Sequence, residues 1–230
     1  MTILCIETST SVCSAAICKD GEPISQCICR EGSNHARLLP RYIQQLLDEA
    51  RQKGLAIQAV ALSEGPGSYT GLRIGTSTAK GLCYGLNIPL IPVPTLQVLC
   101  EAAKRELSPL TTHISPLLIP MIDARRMEVY TMINGETKAV VVENEESFNL
   151  QPSTFSVYYF GDGAAKCQAV FSRPNWHFIP NIVPEAQYVG VLAEQIINNQ
   201  SQIANHQLAY YEPYYLKEFV AAQSHVKGLK

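Results

Sequence analysis

Ile3-Leu4-Cys5-Ile6-Glu7-Thr8-Ser9-Thr10-Ser11-Val12-Cys13-Ser14-Ala15-Ala16-Ile17-Cys18 opens on an apolar tetrad, stops at an acid followed by four hydroxyl side chains, and resumes as a second apolar run. Serine and threonine hydroxyls bond nearby backbone groups and interrupt a strand, so the polar cluster reads as a turn between two strands. Lys19-Asp20-Gly21 then supplies an Asp-Gly hairpin signal, and Pro23 to Cys29 alternates. The stretch predicts a three-stranded antiparallel meander whose first strand ends in an acid.

Beyond it the period changes. Leu38, Tyr42, Leu46 and Ala50 recur every four residues, with Leu39, Ile43 and Leu47 beside them, which predicts an amphipathic helix over Asn34–Lys53. Ser33 or Asn34 is positioned to cap it. Ile57 to Leu62 reads as a strand and Leu72 to Leu86 as a helix, with Ile88 to Val93 the next strand and Thr95 the cap of a helix through Arg105.

The second half begins in the same way. Leu117 to Ile122 is an apolar strand ending in Asp123, Ala124-Arg125-Arg126 is a turn, Met127 to Ile133 is a strand that meets Asn134-Gly135, and Lys138 to Val142 is a third strand. Strand, acid, strand, glycine turn, strand, found twice, indicates an internal duplication. Glu106–Ser115 is the natural boundary between the copies. Val157 to Phe160 is a further strand running into Gly161-Asp162-Gly163 and a helix start, Ala186 to Asn199 is a helix, and the ending reads as loose from Gln223.

Two such units fit the duplicated fold of actin, sugar kinases and heat-shock ATPases: two tandem RNase H-like subdomains, residues 1–105 and 106–230, each a mixed sheet flanked by helices. In that fold a nucleotide lies in the cleft, its phosphates near the two strand-turn-strand elements and an acid holding hydrated magnesium. Glu7 with Thr8 and Ser9, Asp123, and Gly161 and Gly163 stand at the corresponding places, so ATP or ADP with magnesium is the cofactor to test. An autonomous ATPase or kinase is the activity this reading allows. The plainer reading is that strand-end acids followed by hydroxyl residues make turns.

Between the fourth strand and its helix lies Ser63-Glu64-Gly65-Pro66-Gly67-Ser68-Tyr69-Thr70-Gly71-Leu72-Arg73-Ile74-Gly75. It has one residue too many for G-x-G-x-x-G, and no Gly-Lys-Ser/Thr follows as a P-loop requires. Gly71, Gly75, Ala79 and Cys83 continue it as a small residue at every fourth position, a surface that lets another backbone approach closely. The motif thus divides into a loop, Ser63–Thr70, whose anion-binding capacity is open, and a helix contact surface.

A net charge of −2 gives no electrostatic reason for this chain alone to grip nucleic acid. The eight cysteines lie mostly in apolar stretches without a C-x-x-C pair, as buried small hydrophobes do. No basic segment precedes the first strand and no uncharged apolar run is long enough to cross a bilayer, so a cytoplasmic chain with reduced thiols and no membrane association is expected.

Together, "SEGPGSYTGLRIG", "ILCIETSTSVCSAAI", "HARLLP" at His35–Pro40, "IDARRMEVY" at Ile122–Tyr130 and "YYLK" at Tyr214–Lys217 resemble the TsaB (YeaZ) family, part of the bacterial machinery for threonylcarbamoylation of tRNA adenosine 37. The resemblance spans nearly the whole chain and is strongest over residues 1–100. It implies a non-catalytic, activating subunit that forms a heterodimer with its catalytic paralogue TsaD, is joined by the ATPase TsaE, and meets tRNA through the complex. It also implies an interface on the helices Asn34–Lys53 and Gly71–Leu86, with Leu38, Tyr42, Leu46, Gly71, Arg73, Gly75, Ala79 and Cys83 as its residues, and a homodimer through the same helices when the partner is absent.

TsaD carries a His-x-x-x-His metal pair. Here the five histidines are His35, His113, His177, His206 and His225, no two of them four apart, and "TLQVLCEAA" after Pro94 contains none. No catalytic residue and no metal ligand is therefore assigned, and a peptidase activity finds neither a metal pair nor a Ser-His-Asp arrangement. His35 reads as a helix-start capping or packing residue. The chain departs from the family pattern at Glu7, where aspartate is usual, at Met127, where glycine is common, and at Lys217, where arginine is common.

Overall fold

The computed structural model describes residues 1–32, 34–107, 116–150, 155–199 and 205–217. The capping expectation at Ser33, the boundary after Leu107 and the loose ending from Gln223 lie outside the described residues. Strands β1 (Thr2–Glu7), β2 (Cys13–Lys19) and β3 (Glu22–Cys29) form the expected meander. Helix α1 (His35–Gln52), strand β4 (Ala59–Gly65), helix α2 (Tyr69–Leu86), strand β5 (Leu90–Pro94) and helix α3 (Thr95–Leu107) complete the first half. In the second, β6 (Leu117–Asp123), β7 (Glu128–Ile133) and β8 (Glu136–Val141) form another meander, followed by β9 (Val157–Phe160), β10 (Trp176–Ile179) and α4 (Ala186–Asn199).

The strand orders are β3-β2-β1-β4-β5 and β8-β7-β6-β9-β10, the same topology twice. In each sheet the meander is antiparallel and the last two strands run parallel to the first. Parallel neighbours need a crossover, and here the copies diverge. α1 and α2 serve the first sheet, whereas among the described residues the second has short 3₁₀ turns at Glu145–Phe148 and Ala165–Ala169. The helix expected after Gly163 stops after one turn and a half, because Ser172-Arg173-Pro174 follows and the residue before a proline disfavours helical geometry. β10, an aromatic tetrad just beyond that proline, was not expected from the pattern.

Burial follows the periods. His35, Leu39, Ile43, Leu46 and Ala50 form the inner stripe of α1 and pack on one face of the first sheet with Leu4, Ile6, Ile17 and Leu62. The other face, Ile3, Cys5, Ala16, Cys18 and Ile91, is covered by Ala186, Val189, Leu192 and Ala193 of α4, a helix from the far end of the sequence. Glu185 anchors that helix: its buried carboxylate accepts from Arg30 Nη2 at 2.6 Å, Gln26 Nε2 at 2.9 Å and Gln187 Nε2 at 2.8 Å. Ser14 Oγ accepts from Ala186 N at 2.9 Å.

Helix α3 lies against the second sheet, where Leu96, Leu99, Cys100 and Ala103 meet Ile122, Phe160 and Ile182. The far face of that sheet holds an aromatic core of Phe148, Tyr159, Phe171 and Trp176. Six of the eight cysteines are buried, in keeping with the small-hydrophobe reading, and Cys27 and Cys29 are partly exposed. Among the described residues no helix is long and apolar enough to cross a membrane.

Candidate functional site

The end of β1 is sealed. Glu7 is fully buried; its Oε1 accepts from Ser9 N and Ser9 Oγ, both at 2.6 Å, and its Oε2 from Ser63 Oγ at the end of β4. Burial pushes the carboxyl above its ordinary value of 4.5, against the pull of the hydrogen bonds from Ser63 and Ser9. The turn that follows is fixed on its outer side by α1, where His35 Nε2–H donates to Thr10 O at 2.8 Å. This is the packing role expected of His35. Asn34 makes no side-chain cap.

On its other side the turn is occupied by the glycine motif. Ser68 N donates to Ser9 O at 2.6 Å, Thr8 Oγ1 donates to Gly71 O at 2.9 Å, and Ser68 Oγ caps α2 by accepting from Gly71 N at 3.3 Å. A Cβ on Gly67 would collide with Ser9 O, one on Gly71 with Thr8 O, and one on Gly75 with Thr8 Oγ1. The close approach anticipated from the stripe is therefore real, but the approaching backbone belongs to this chain. Thr95 Oγ1, expected as a helix cap, instead accepts from Gly65 N at 3.1 Å and braces the loop from the start of α3.

A strap formed by residues 205–217 crosses the outside of the motif. Lys80 Nζ donates to Ala209 O at 2.8 Å and Tyr211 O at 3.0 Å, and Tyr214 N donates to Glu64 O at 2.7 Å. The Tyr215 ring lies 4.8 Å from that of Tyr69, over which the Arg73 guanidinium also sits at 4.8 Å. Lys217 closes the strap on Glu128 at the start of β7, so the basic side chain at the departure from the family pattern is used. Burial raises the Glu64 carboxyl above its ordinary range. The strap was legible only as the aromatic run Tyr210–Tyr215, and its contacts were not.

In the second half Gly161 and Gly163 repeat the arrangement on the end of β6. A Cβ on Gly161 would collide with Met121 O, and one on Gly163 would lie 2.8 Å from Ile122 C and 3.0 Å from Asp123 N. Asp162 Oδ1 accepts from Asp123 N at 3.0 Å. The Asp123 carboxylate is paired with Lys166 and accepts from Arg125 N at 3.1 Å, while Arg125 and Arg126 both adopt left-handed backbone, φ 73° and 49°. Such conformations are uncommon for residues with a Cβ.

These positions correct two expectations. Glu7 has no exposed oxygen for hydrated magnesium, Thr8 and Ser9 are buried under the glycine motif, and Asp123 is already neutralised by Lys166. Of the eight interface residues, Leu46, Gly71, Gly75, Ala79 and Cys83 are buried in this chain's own core, so they are not a surface for a partner. Leu38 and Tyr42 are half-buried and Arg73 is exposed.

The outward face of α2 carries a second set of small residues four apart, Ser77, Gly81 and Gly85, beside Tyr84, which is 85% exposed. A Cβ on Gly81 or Gly85 would meet nothing within 4 Å. The same four-residue count that marked the inner stripe marks this one. Among the described residues no group of three or more His, Cys, Asp or Glu side chains is arranged to hold a metal ion.

Two mixed sheets of one topology, each with a glycine turn seated on the end of its first strand, define a duplicated α/β chain, the architecture the repeated sequence pattern indicates. The family model for TsaD, tRNA N6-adenosine threonylcarbamoyltransferase, matches residues 31–147, just over half of the chain. With the similarities that follow, the chain belongs to that family, among its TsaB (YeaZ) members. It is 33% identical over 130 residues to the tRNA threonylcarbamoyladenosine biosynthesis protein TsaB of Haemophilus influenzae, covering 56% of this chain and 52% of that protein. To TsaB of Bacillus subtilis it is 34% identical over 146 residues, covering 61% and 60%. The matches thus span little more than half the length of these curated relatives. The solved structure of YeaZ from Pseudomonas aeruginosa superposes with a TM-score of 0.71 at 29% identity, over 94% of this chain and 99% of that one.

Gly75→Leu is expected to destabilise the chain by about 1–3 kcal/mol, the range for over-packing a close contact, read as a lower urea midpoint. An unchanged midpoint would show that Thr8 can move away freely. The carboxyl of Glu7 gives a pH test. Because its native pKa lies above 4.5, the folded state holds the proton more tightly than the unfolded state. Its contribution is therefore greatest below 4.5 and is lost as pH rises through the native pKa. Glu7→Gln, permanently neutral, should gain stability relative to wild type between pH 4.5 and neutrality; a pH-independent difference in unfolding free energy would contradict this.

Proposed function

We propose that this chain is a non-catalytic, activating subunit for N6-threonylcarbamoylation of tRNA adenosine 37, acting in the cytoplasm as the heterodimeric partner of a TsaD-like catalytic paralogue. The observation that carries this reading is the YeaZ similarity over almost the full length of both chains, together with curated relatives named for tRNA threonylcarbamoyladenosine biosynthesis. The segment Thr95–Ala103 has no histidine where the paralogue has its metal pair, which supports a supporting role over a catalytic one. A TsaE-like ATPase joins the assembly, nucleotide and magnesium act in the complex, and tRNA is met through it.

The docking surface in this reading is the outward side of α1 and α2: Leu38, Tyr42 and Arg73 from the expected set, with Ser77, Gly81, Tyr84 and Gly85 in place of the buried stripe. Exposed glycines on a helix let a partner helix approach closely. Leu86, 49% exposed, adds apolar area at the same end of α2. Without the paralogue, two copies pair through this face.

Reconstitution tests the role. The chain alone should form no modified nucleoside from ATP, threonine, bicarbonate and tRNA, and should be required when the paralogue and the ATPase are added; product from the isolated chain would refute the reading. Gly81→Leu tests the surface. It should leave folding intact or gain roughly 0.5–1 kcal/mol by removing a mid-helix glycine. It should weaken binding of the paralogue about tenfold or more, equivalent to about 1.4 kcal/mol, and an unchanged dissociation constant in calorimetry would place the interface elsewhere.

A further inference from the structure

The β2–β3 hairpin puts Cys13 directly opposite Cys29 in antiparallel register. Residues opposite one another on antiparallel strands project to the same face with Cα atoms about 4.5–5.5 Å apart, inside the roughly 4.4–6.8 Å that disulfides span. Cys13 is buried, whereas Cys29 is partly exposed at the open end of the hairpin, its Sγ 2.9 Å from Glu31 O. Burial raises the Tyr42 hydroxyl pKa, and Cys29, Cys13 and Cys27 lie close enough to add to the rise. Cys27 stands opposite Ala15, so it has no directly facing sulfur.

We propose that Cys13 and Cys29 are a thiol–disulfide exchange site, forming a reversible cross-strand disulfide with a small-molecule disulfide such as oxidised glutathione as oxidant. The Cys29 thiolate attacks one sulfur of the oxidant, breaking its S–S bond, forming a mixed disulfide and releasing one small thiolate, which is protonated. Cys13 loses its proton and attacks Cys29 Sγ, forming the protein disulfide and expelling the second small thiolate. Two protein thiols are oxidised by two electrons in all, and one disulfide is reduced to two thiols.

The order of attack follows from the surroundings. Burial pushes the Cys13 thiol up to about 11, with the neighbouring Cys29 adding to the rise, so Cys13 is a poor first nucleophile and acts once the mixed disulfide is beside it. Cys5 and Cys18 are also near each other, since a Cβ on Gly190 would press on both sulfurs, but both are fully buried under α4, where an oxidant has no path. The bond would fasten β2 to β3 immediately after the turn whose Thr10 carbonyl holds His35.

The test uses the whole native chain in glutathione buffers graded from reduced to oxidised, with free thiols then alkylated and the protein mapped by mass spectrometry. Trypsin cuts after Lys19 and Arg30, so the expected product is peptide 1–19 joined to peptide 20–30, lighter by two hydrogens, with fragmentation placing the link at Cys13 and Cys29. It should disappear on reduction, be lost in Cys29→Ser and in Cys13→Ser, and persist in Cys18→Ser. A link through Cys27, a mixed disulfide on Cys29 that never resolves, or two freely alkylated thiols in fully oxidised buffer would each overturn the proposal.

Discussion

The backbone of Ser9 and Thr8 lies where side chains of residues 67 and 71 would have to be, and the Thr8 hydroxyl where one of residue 75 would be. That exclusion organises the first half of the molecule. Three glycines let α2 and its preceding loop rest on the turn after β1, and the contact is locked by hydrogen bonds in both directions, from Ser68 N to Ser9 O and from Thr8 Oγ1 to Gly71 O. With α2 so placed, β4 is held beside β1 and Ser63 comes within reach of Glu7. The Glu7 oxygens are tolerated in the interior because three donors meet them there, as buried polar groups require. The turn after β1 is thereby packed against the chain's own glycine motif.

The second half keeps the principle with less apparatus. Gly161 and Gly163 fold over the end of β6 as the first motif folds over the end of β1, and β9 pairs with β6 as β4 pairs with β1. Among the described residues no helix equivalent to α1 or α2 covers the second sheet, and that side is filled instead by rings of Phe148, Tyr159, Phe171 and Trp176 packed edge to face and tilted. The Asp123 carboxylate remains nearer the surface and is balanced by Lys166 rather than by serine donors.

Much of this was legible. The strand–acid–turn–strand pattern is set by local chemistry, hydroxyls after an acid and glycines after a strand, and it marked both meanders and their relation. Helix α4 was readable from its apolar spacing. What stayed hidden is what local chemistry does not determine. On α2, Gly71-Gly75-Ala79-Cys83 and Ser77-Gly81-Gly85 are equally small, and the choice of which faces inward is made by a turn far away in sequence. The ion pairs of Lys166 with Asp123 and Lys217 with Glu128 likewise join segments distant in the chain. Trp176–Ile179 was missed because a four-residue parallel strand is too short for its period to show.

The placement of α4 bears on how the molecule is made. The first sheet has an apolar face, Ile3, Cys5, Ala16 and Cys18, covered largely by α4, which follows the second sheet in sequence. Until residues 186–199 arrive, that face has Val98 of α3 but not the apolar stripe of α4 against it, and Gln26 and Arg30 of the hairpin region lack the Glu185 carboxylate. Long sequence separation between contacting segments slows folding and lengthens the time for which apolar surface is open. Completion of the first sheet's core therefore waits on a helix that follows the whole second sheet in sequence.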